Sequence, residues 1–198
     1  MDKQVADLIQ EFSALTTLPV PINDVWEKLK EWGFDEIYFF QDVDLDPTIL
    51  NGHIEQEEIP CNDGNDSYIM NTITYAKTDN ETERLVICKE MLHIMDPDEY
   101  RANKPKELEE LIEKIVLPAE LVDPVTENAH SINDRIAITQ ASAVLFPLAA
   151  RKLIMPHYQS GRYSLRQIAD MAELPPRYVA PILSDFWPHI HDILAARR

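Results

Sequence analysis

The segment from Glu81 to Met95 constrains the fold of this chain more than any other part of the sequence. It is long enough for about four helical turns, and apolar residues occur around its whole circumference rather than along one stripe. These residues are Leu85, Val86, Ile87, Cys88, Met91, Leu92, Ile94 and Met95. A helix that is apolar on all sides is surrounded by protein, so the sequence predicts a buried central helix.

Three ionisable residues, Lys89, Glu90 and His93, interrupt this apolar helix. Burying such groups costs free energy unless they pair with one another or bind a metal. The sequence therefore predicts an internal polar site on the helix.

The spacing of these residues is that of a known metal motif. Lys89 and His93 are one helical turn apart and share a face, with Glu90 beside them. Zinc peptidases use His-Glu-x-x-His, in which two imidazoles hold zinc and the glutamate activates water. Here the segment reads Lys-Glu-Met-Leu-His, so Glu90 and His93 match and the first ligand does not. A core histidine beside a salt bridge gives the same pattern, and this alternative stays open on spacing alone.

Flanking segments extend the comparison. Arg84 leads the helix, and a predicted strand, Ser67 to Thr74, precedes it. Downstream, residues 134 to 147 read Asp-Arg-Ile-Ala-Ile-Thr-Gln-Ala-Ser-Ala-Val-Leu-Phe-Pro. Together these features resemble the ImmA/IrrE family of zinc peptidases. In that family an Arg-led helix carries the motif after a small sheet, and a later helix, Glu-x-x-Ala-Asn-x-Phe-Ala-Ala-x-Leu-Leu-Met-Pro, supplies the third zinc ligand from its glutamate.

The resemblance covers roughly residues 35 to 185 and implies a zincin-like fold. Leu165 to Ala169, with Val179 and Leu183, is similar to the family's C-terminal helical pair. Asp134 falls at the position of the third ligand, shortened from Glu to Asp. The implied fold class is α+β, a mainly helical domain with a small antiparallel sheet and a C-terminal helical pair.

The departures from the family motif suggest a site without metal. A lysine ammonium offers three donors and no lone pair, whereas zinc ligands must be deprotonated. We therefore hypothesise that the Lys89 ammonium replaces the metal electrostatically, paired with Asp134 and with Glu90. On this hypothesis Glu90 and Lys89 occupy the former catalytic positions and no cofactor is bound.

The alternative is a divergent metallopeptidase that keeps zinc. His93 and Asp134 would be metal ligands and Glu90 the general base. A further ligand would come from His130, Glu127 or His53; His130 and Asp134 are one turn apart and could share a face. His130 also fits a surface histidine in the polar stretch 127–135.

The order of helices, sheet and helices along the chain is typical of α+β proteins. We predict N-terminal helices in residues 1–33, a zincin-like core in 34–156 and a C-terminal helical annex in 157–198, all within one compact domain. The predicted helices cover residues 5–15, 22–32, 81–95, 106–116 and 125–146, with two short helices after Ser164 and Arg177. The predicted antiparallel sheet lies in residues 34–75, with strands at 34–40 and 67–74, a hairpin turn at Asn51-Gly52 and another turn at Asp63-Gly64.

Charge excludes several classes of partner. The chain has 18 basic and 35 acidic residues, a formal net charge of -17. It therefore repels phosphate backbones and anionic membranes, and we expect neither nucleic acid nor membrane as a partner. Simple solubility explains this charge, and a basic protein partner or mimicry of nucleic acid is the alternative.

Two further features concern location and the C-terminal region. Cys61 and Cys88 form no disulfide framework or metal knuckle, and the charged residues near the start exclude a signal-peptide pattern, so we expect a cytoplasmic protein. Residues 164–183 have helix-turn-helix texture, but the second helix combines Arg177 with the nearby Asp185 in an acidic protein. We interpret this region as a packing annex.

The expected function is that of a non-catalytic, zincin-like regulatory or protein-interaction module. Several ImmA/IrrE relatives act on repressors or in stress regulation. By resemblance, the expected partner is a transcriptional regulator or a toxin–antitoxin-like protein.

Overall fold

The computed structural model describes residues 3–48, 50–61, 66–96 and 129–196, with side chains described from residue 133 onward in the helix that begins at 129. This part of the chain contains eight helices and a three-stranded sheet. The helices are α1 (Lys3–Phe12), α2 (Ile22–Glu31), α3 (Asn80–His93), α4 (Ala129–Leu145), α5 (Leu148–Gln159), α6 (Leu165–Ala172), α7 (Pro176–Ile182) and α8 (Trp187–Leu194). The strands are β1 (Ile37–Asp42), β2 (Gly52–Pro60) and β3 (Ser67–Ala76). The predicted α+β class is confirmed.

The two N-terminal helices belong to the same core as the rest of the described chain. The apolar stripe of α1 is buried there, and it consists of Val5, Leu8, Ile9 and Phe12. Helix α2 ends before Gly33, whose φ of +93° suits a residue without Cβ. After α1, the carbonyls of Ser13 and Leu15 accept hydrogen bonds from the backbone N–H groups of Ala149 and Ala150, at 2.9 and 3.2 Å. The start of α5 is thereby fixed to the N-terminal segment.

The sheet is mixed rather than antiparallel, with strand order β1-β3-β2. Strands β2 and β3 pair antiparallel as predicted, with Ile54 opposite Ile73. Strand β1 runs parallel to β3, with Phe39 opposite Ile73, so the prediction was wrong for this pair. Side-chain alternation identifies a strand but carries no information about its direction, because both kinds of pairing have the same period of two.

The predicted hairpin turn at Asn51-Gly52 was also wrong. The Asp46 carboxylate accepts hydrogen bonds from the backbone N–H and the hydroxyl of Thr48, its carbonyl accepts one from the backbone N–H of Leu50, and β2 begins at Gly52. Gly52 serves close packing instead: a Cβ there would lie 2.6 Å from Val86 Cγ1 and 3.1 Å from the carbonyl oxygen of Thr74. Glycine permits such an approach between backbone and neighbour as readily as it permits a turn.

Helix α3 is the buried central helix that the sequence predicted. It packs against β2, β3, α2 and α4, and its apolar residues are buried, Cys88 among them, except Ile87, which is partly buried. It starts one residue earlier than predicted and ends at His93. The predicted helix 106–116, the start of the predicted helix 125–146 and the Asp63-Gly64 turn lie outside the described residues. The described part of the predicted helix 125–146 is α4, which ends before Pro147.

The C-terminal region contains the two predicted short helices, α6 and α7, and a third, α8, that was not predicted. Ser164 and Gln167 form a reciprocal capping box at the start of α6. Helix α8 has only eight residues, and its apolar spacing is interrupted by Pro188 and two histidines, which explains why the pattern was missed.

Candidate functional site: an internal ion-pair cluster

The start of α3 is fixed by side-chain hydrogen bonds. Asp79 accepts a hydrogen bond from the backbone N–H of Thr82 at 2.9 Å, which is a standard helix cap. Glu83 accepts hydrogen bonds from the backbone N–H of Thr78 at 2.9 Å and from Gln41 of β1 at 3.0 Å. These bonds fix the first turn of the helix, which precedes Lys89.

Lys89 lies at the centre of the predicted polar site. Its Nζ is 2.5 Å from Asp134 Oδ1 of α4 and 2.8 Å from Glu90 Oε1. The contact with Asp134 is a hydrogen bond, whereas the contact with Glu90 is ionic and lacks hydrogen-bond geometry. Lys89 is 5% exposed and Glu90 2% exposed, so the ion pair is enclosed by protein.

His93 extends the cluster by one helical turn. Its Nδ1 is 2.5 Å from Asp96 Oδ2, and its Nε2 is 3.7 Å from Asp134 Oδ1. The same Asp96 oxygen accepts a hydrogen bond from Nδ2 of Asn133 at 2.5 Å. We call Lys89, Glu90, His93, Asp96, Asn133 and Asp134 the internal cluster.

Asp96 and Asn133 were not among the site residues predicted from the sequence. Asp96 follows the end of α3, which ends at His93. Its position three residues after His93 was a usable signal, because residues at this spacing meet on one side of a helical turn. Asn133 gave no such signal, since only the packing of α4 on α3 brings it to Asp96.

Electrostatics keep the cluster charged despite its burial. Burial opposes the charge on Lys89, but Glu90 and Asp134 outweigh it and raise the pKa of Lys89 above its ordinary value. Burial likewise lowers the pKa of His93, yet the nearby carboxylates of Asp134 and Asp96 raise it to about 9. For Asp134 burial acts upward, and Lys89 and His93 hold its pKa well below the usual range. At neutral pH the cluster therefore contains two cations, Lys89 and His93, among its carboxylates.

Strand β2 closes one side of the cluster. A Cβ on Gly52 would lie 3.1 Å from Glu90 Oε1, so the backbone of β2 lies directly against this carboxylate. The close packing leaves Glu90 in contact with Lys89 rather than with solvent.

The further ligands predicted from the sequence, His53, Glu127 and His130, are not among the described residues of the internal cluster. His53 lies on β2, and its Nε2 is 3.9 Å from Glu55. His53 and Gly52 are neighbours in β2 and therefore lie on different faces of the sheet. The face of Gly52 contacts Glu90, so the structure does not bring His53 to the cluster. Glu127 lies outside the described residues, and of His130 only the backbone, in α4, is described.

The residues of the cluster, as arranged, do not fit a zinc ion. Zinc requires ligands with free lone pairs, but the Lys89 ammonium donates toward Asp134, and His93 is protonated at neutral pH. Among the described residues, no group of three or more His, Cys, Asp or Glu side chains is arranged to hold a metal ion.

Arg84, which leads the helix in the family pattern, makes structural contacts here. Its guanidinium donates to the carbonyl of Val20 at 2.9 Å and to that of Glu173 at 3.2 Å, and lies 3.4 Å from the Glu173 carboxylate. Glu173 is the left-handed residue (φ 50°) that ends α6. Arg84 thus joins α3 to the N-terminal segment and to the α6–α7 connection, and residues of both short helices are buried in the core.

Comparisons with protein-family models, with curated proteins and with solved structures gave no match to this chain. Separately, no described helix has the length and apolar character needed to cross a membrane.

Proposed function

We propose that this protein is a non-catalytic, zincin-like interaction or regulatory module in which a lysine ammonium balances the internal charges where related enzymes hold zinc. The observation that carries this proposal is the position of Lys89 Nζ, 2.5 Å from Asp134 and 2.8 Å from Glu90. The Lys89 ammonium is the cation, and Asp134 and Glu90 are the carboxylates that surround it.

Burial of Glu90 supports the absence of catalysis. A general base must come within hydrogen-bond reach of the proton that it removes. The carboxylate of Glu90 is 2% exposed, is in contact with an ammonium and is covered by β2. It therefore lacks the solvent access that water activation requires.

The partner of such a module is a protein. The family resemblance suggests a transcriptional regulator or a toxin–antitoxin-like protein as its class. The acidity of the chain favours a partner with a basic surface.

Metal content tests the proposal. We expect untagged wild-type protein, purified without chelators and dialysed against zinc, to contain much less than one zinc per chain by inductively coupled plasma mass spectrometry. The Lys89→His variant restores the His-Glu-x-x-His pattern and should gain zinc. Its control, Lys89→His combined with His93→Ala, should not.

Stoichiometric zinc in the wild-type protein, lost in His93→Ala and in Asp134→Ala, would refute the proposal. The chain would then be a divergent metallopeptidase with Glu90 as its base, and activity should disappear in Glu90→Ala while the fold is retained.

A further inference from the structure

The sheet has an outer face, turned away from α3, that combines aromatic and acidic side chains. Gly52, opposite Tyr75, contacts α3, so the neighbouring positions along each strand point the other way. The register aligns these positions in rows across the three strands. The outer face consists of Tyr38 and Phe40 of β1, Met70, Thr72 and Thr74 of β3, and His53, Glu55 and Glu57 of β2.

The aromatic residues of this face are exposed. Tyr38 is 45% and Phe40 56% exposed. Phe39, between them, points to the inner face, where its ring meets that of Trp26 edge to face at 6.4 Å between centroids. Phe39 is 36% exposed as well, but its ring has an aromatic partner on the inner face, whereas the rings of Tyr38 and Phe40 lie on the outer face.

These aromatics lie on an edge strand. Strand β1 is the first in the order β1-β3-β2, and within the described chain β3 is the strand that pairs with it. Proteins usually protect such an edge with lysine, proline or a bulge. Strand β1 reads Ile-Tyr-Phe-Phe-Gln-Asp and has none of these residue types.

The chain segment that contains β1 is acidic, and the first basic residue after it is Lys77, whose backbone N–H donates to the carbonyl of Asp42 at the end of β1. Residues 31–76 contain eleven Asp or Glu and no Lys or Arg. On the outer face, Glu55 and Glu57 are exposed. Lys28 and Lys30, just before this segment, already contact Glu11, Glu31 and Glu27.

The negative charge of this segment determines which kind of chain can bind at the edge. Two copies of the chain meeting edge to edge would bring like charges together, which is unfavourable. A segment rich in Arg or Lys is attracted instead, and its cations can also lie over the faces of Tyr38 and Phe40. Main-chain hydrogen bonds to a free sheet edge supply affinity with little demand on sequence.

We propose that β1 is the docking edge for an extended, arginine- or lysine-bearing segment of a partner protein, which adds a fourth strand beside Tyr38 and Phe40. The inference deepens the proposed function and rests on it for the assumption that the chain acts by binding a protein. In the added strand, alternate side chains lie over the outer face, so the cations belong at every second position.

A labelled peptide of about ten residues that alternates arginine and valine, long enough to span β1, is the probe. Fluorescence anisotropy should show saturable binding that weakens as salt is raised, because the charges on both partners are exposed. Phe40→Thr should weaken binding about tenfold, the effect of losing one aromatic anchor. The matched control is Phe186→Thr, which removes an aromatic residue that is 76% exposed and lies just before α8.

Two control peptides separate the parts of the interaction. Replacing the arginines by glutamates should abolish binding, and methylating alternate backbone nitrogens should weaken it by removing strand hydrogen bonds. No binding of the arginine peptide, or equal binding to wild type and to Phe40→Thr, would overturn the proposal. So would a wild-type dimer that Phe40→Thr converts to a monomer in sedimentation, since the occupant would then be a second copy.

The two proposals fail in different ways. Stoichiometric zinc in the wild-type protein refutes the non-catalytic function whatever the peptide does. Lack of peptide binding to a metal-free protein refutes only the docking edge.

Discussion

Lys89 keeps its charge inside the protein because Asp134 and Glu90 replace the water that its ammonium loses on burial. An ion pair of this kind adds little net stability compared with a well-packed apolar alternative. Removing one partner is a different matter, because the remaining charge stays buried without compensation. A substitution in this ion pair therefore acts mainly through the charge that it leaves buried without a partner.

Lys89→Met should lower the free energy of unfolding by about 3 kcal/mol, because Glu90 is left buried without a cation. Urea denaturation followed by circular dichroism measures this. Adding Glu90→Gln to Lys89→Met should restore part of the loss, since the uncompensated carboxylate is removed. The matched control is Lys28→Met, which breaks ion pairs with Glu11 and Glu31 and should cost much less, because solvent screens this ammonium. Equal losses in the two single variants would contradict the enclosed ion pair.

His93 makes stability depend on pH. Its pKa is raised from 6.5 to about 9 in the folded protein by Asp134 and Asp96, which outweigh its burial. Because the folded state holds the proton more tightly, the stabilisation is complete below about pH 6.5 and is lost as the pH rises through 9, on the order of 3 kcal/mol in all. Asp134, whose pKa is lowered, acts in the opposite direction and loses its contribution as the pH falls below its ordinary pKa.

The measurement is the urea midpoint across this range for wild type and His93→Gln. The wild-type midpoint should fall between pH 6.5 and 9, and the variant should show a flatter profile. A fall of the same size in both proteins would assign the pH dependence to other groups.

At the scale of elements, close packing of β2 on α3 fixes the sheet against the internal cluster. Gly52→Ala would place a Cβ 2.6 Å from Val86 Cγ1 and 3.1 Å from the backbone of Thr74. We expect a loss of about 2 kcal/mol in the free energy of unfolding, typical of overpacking. Combining it with Val86→Ala should give a smaller total loss than the sum of the two single variants, since the side-chain clash is relieved.

Gly161→Ala provides the comparison for Gly52→Ala. A Cβ at Gly161 meets nothing within 4 Å, but the φ of +73° is unfavourable for alanine, so only a backbone cost of about 1 kcal/mol is expected. This cost should be unaffected by Val86→Ala. Coupling of Val86→Ala to Gly161→Ala, or its absence for Gly52→Ala, would contradict the close approach.

Some helices and strands could be predicted from sequence patterns alone, and others could not. Helix α3 was predicted almost to the residue because all-round apolarity with polar interruptions has one physical solution, a buried helix with an internal polar site. The pairing of Lys89 with Asp134 was predicted from the family resemblance, which places Asp134 at the position of the third zinc ligand, and from the opposite charges of the two residues. The roles of Glu90, His93 and Asp134 in function stay predictions. The parallel β1–β3 pair and the true use of Gly52 did not follow, because both depend on contacts between segments distant in the sequence. Asn133 entered the cluster for the same reason.

At the scale of the whole molecule, Arg84 connects parts of the chain that are far apart in sequence. Its hydrogen bonds reach Val20, which precedes α3 in the sequence, and Glu173, which follows it. Arg84→Ala should lower the free energy of unfolding by about 2 kcal/mol, because the buried carbonyl of Val20 and the carbonyl of Glu173 lose a charged donor. Arg84→Lys should recover only part of this, since an ammonium cannot reproduce the planar guanidinium.

Arg166 is the matched control for Arg84. It also bridges α6 and α3, through Glu81, and pairs with Asp170, but its side chain is 63% exposed. Arg166→Ala should therefore cost less than about 1 kcal/mol in urea denaturation. Similar losses for Arg84→Ala and Arg166→Ala would show that burial does not distinguish the two bridges.

The packing of α1 against α4 has a consequence for biosynthesis. These helices contact each other in the core, yet 116 residues lie between Phe12 and Ala129. A growing chain on the ribosome therefore exposes the apolar stripe of α1 until α4 has emerged, and long-range contacts of this kind slow folding. During that interval we expect the exposed stripe to be open to chaperones, and a chain truncated before α4 would lack a completed core.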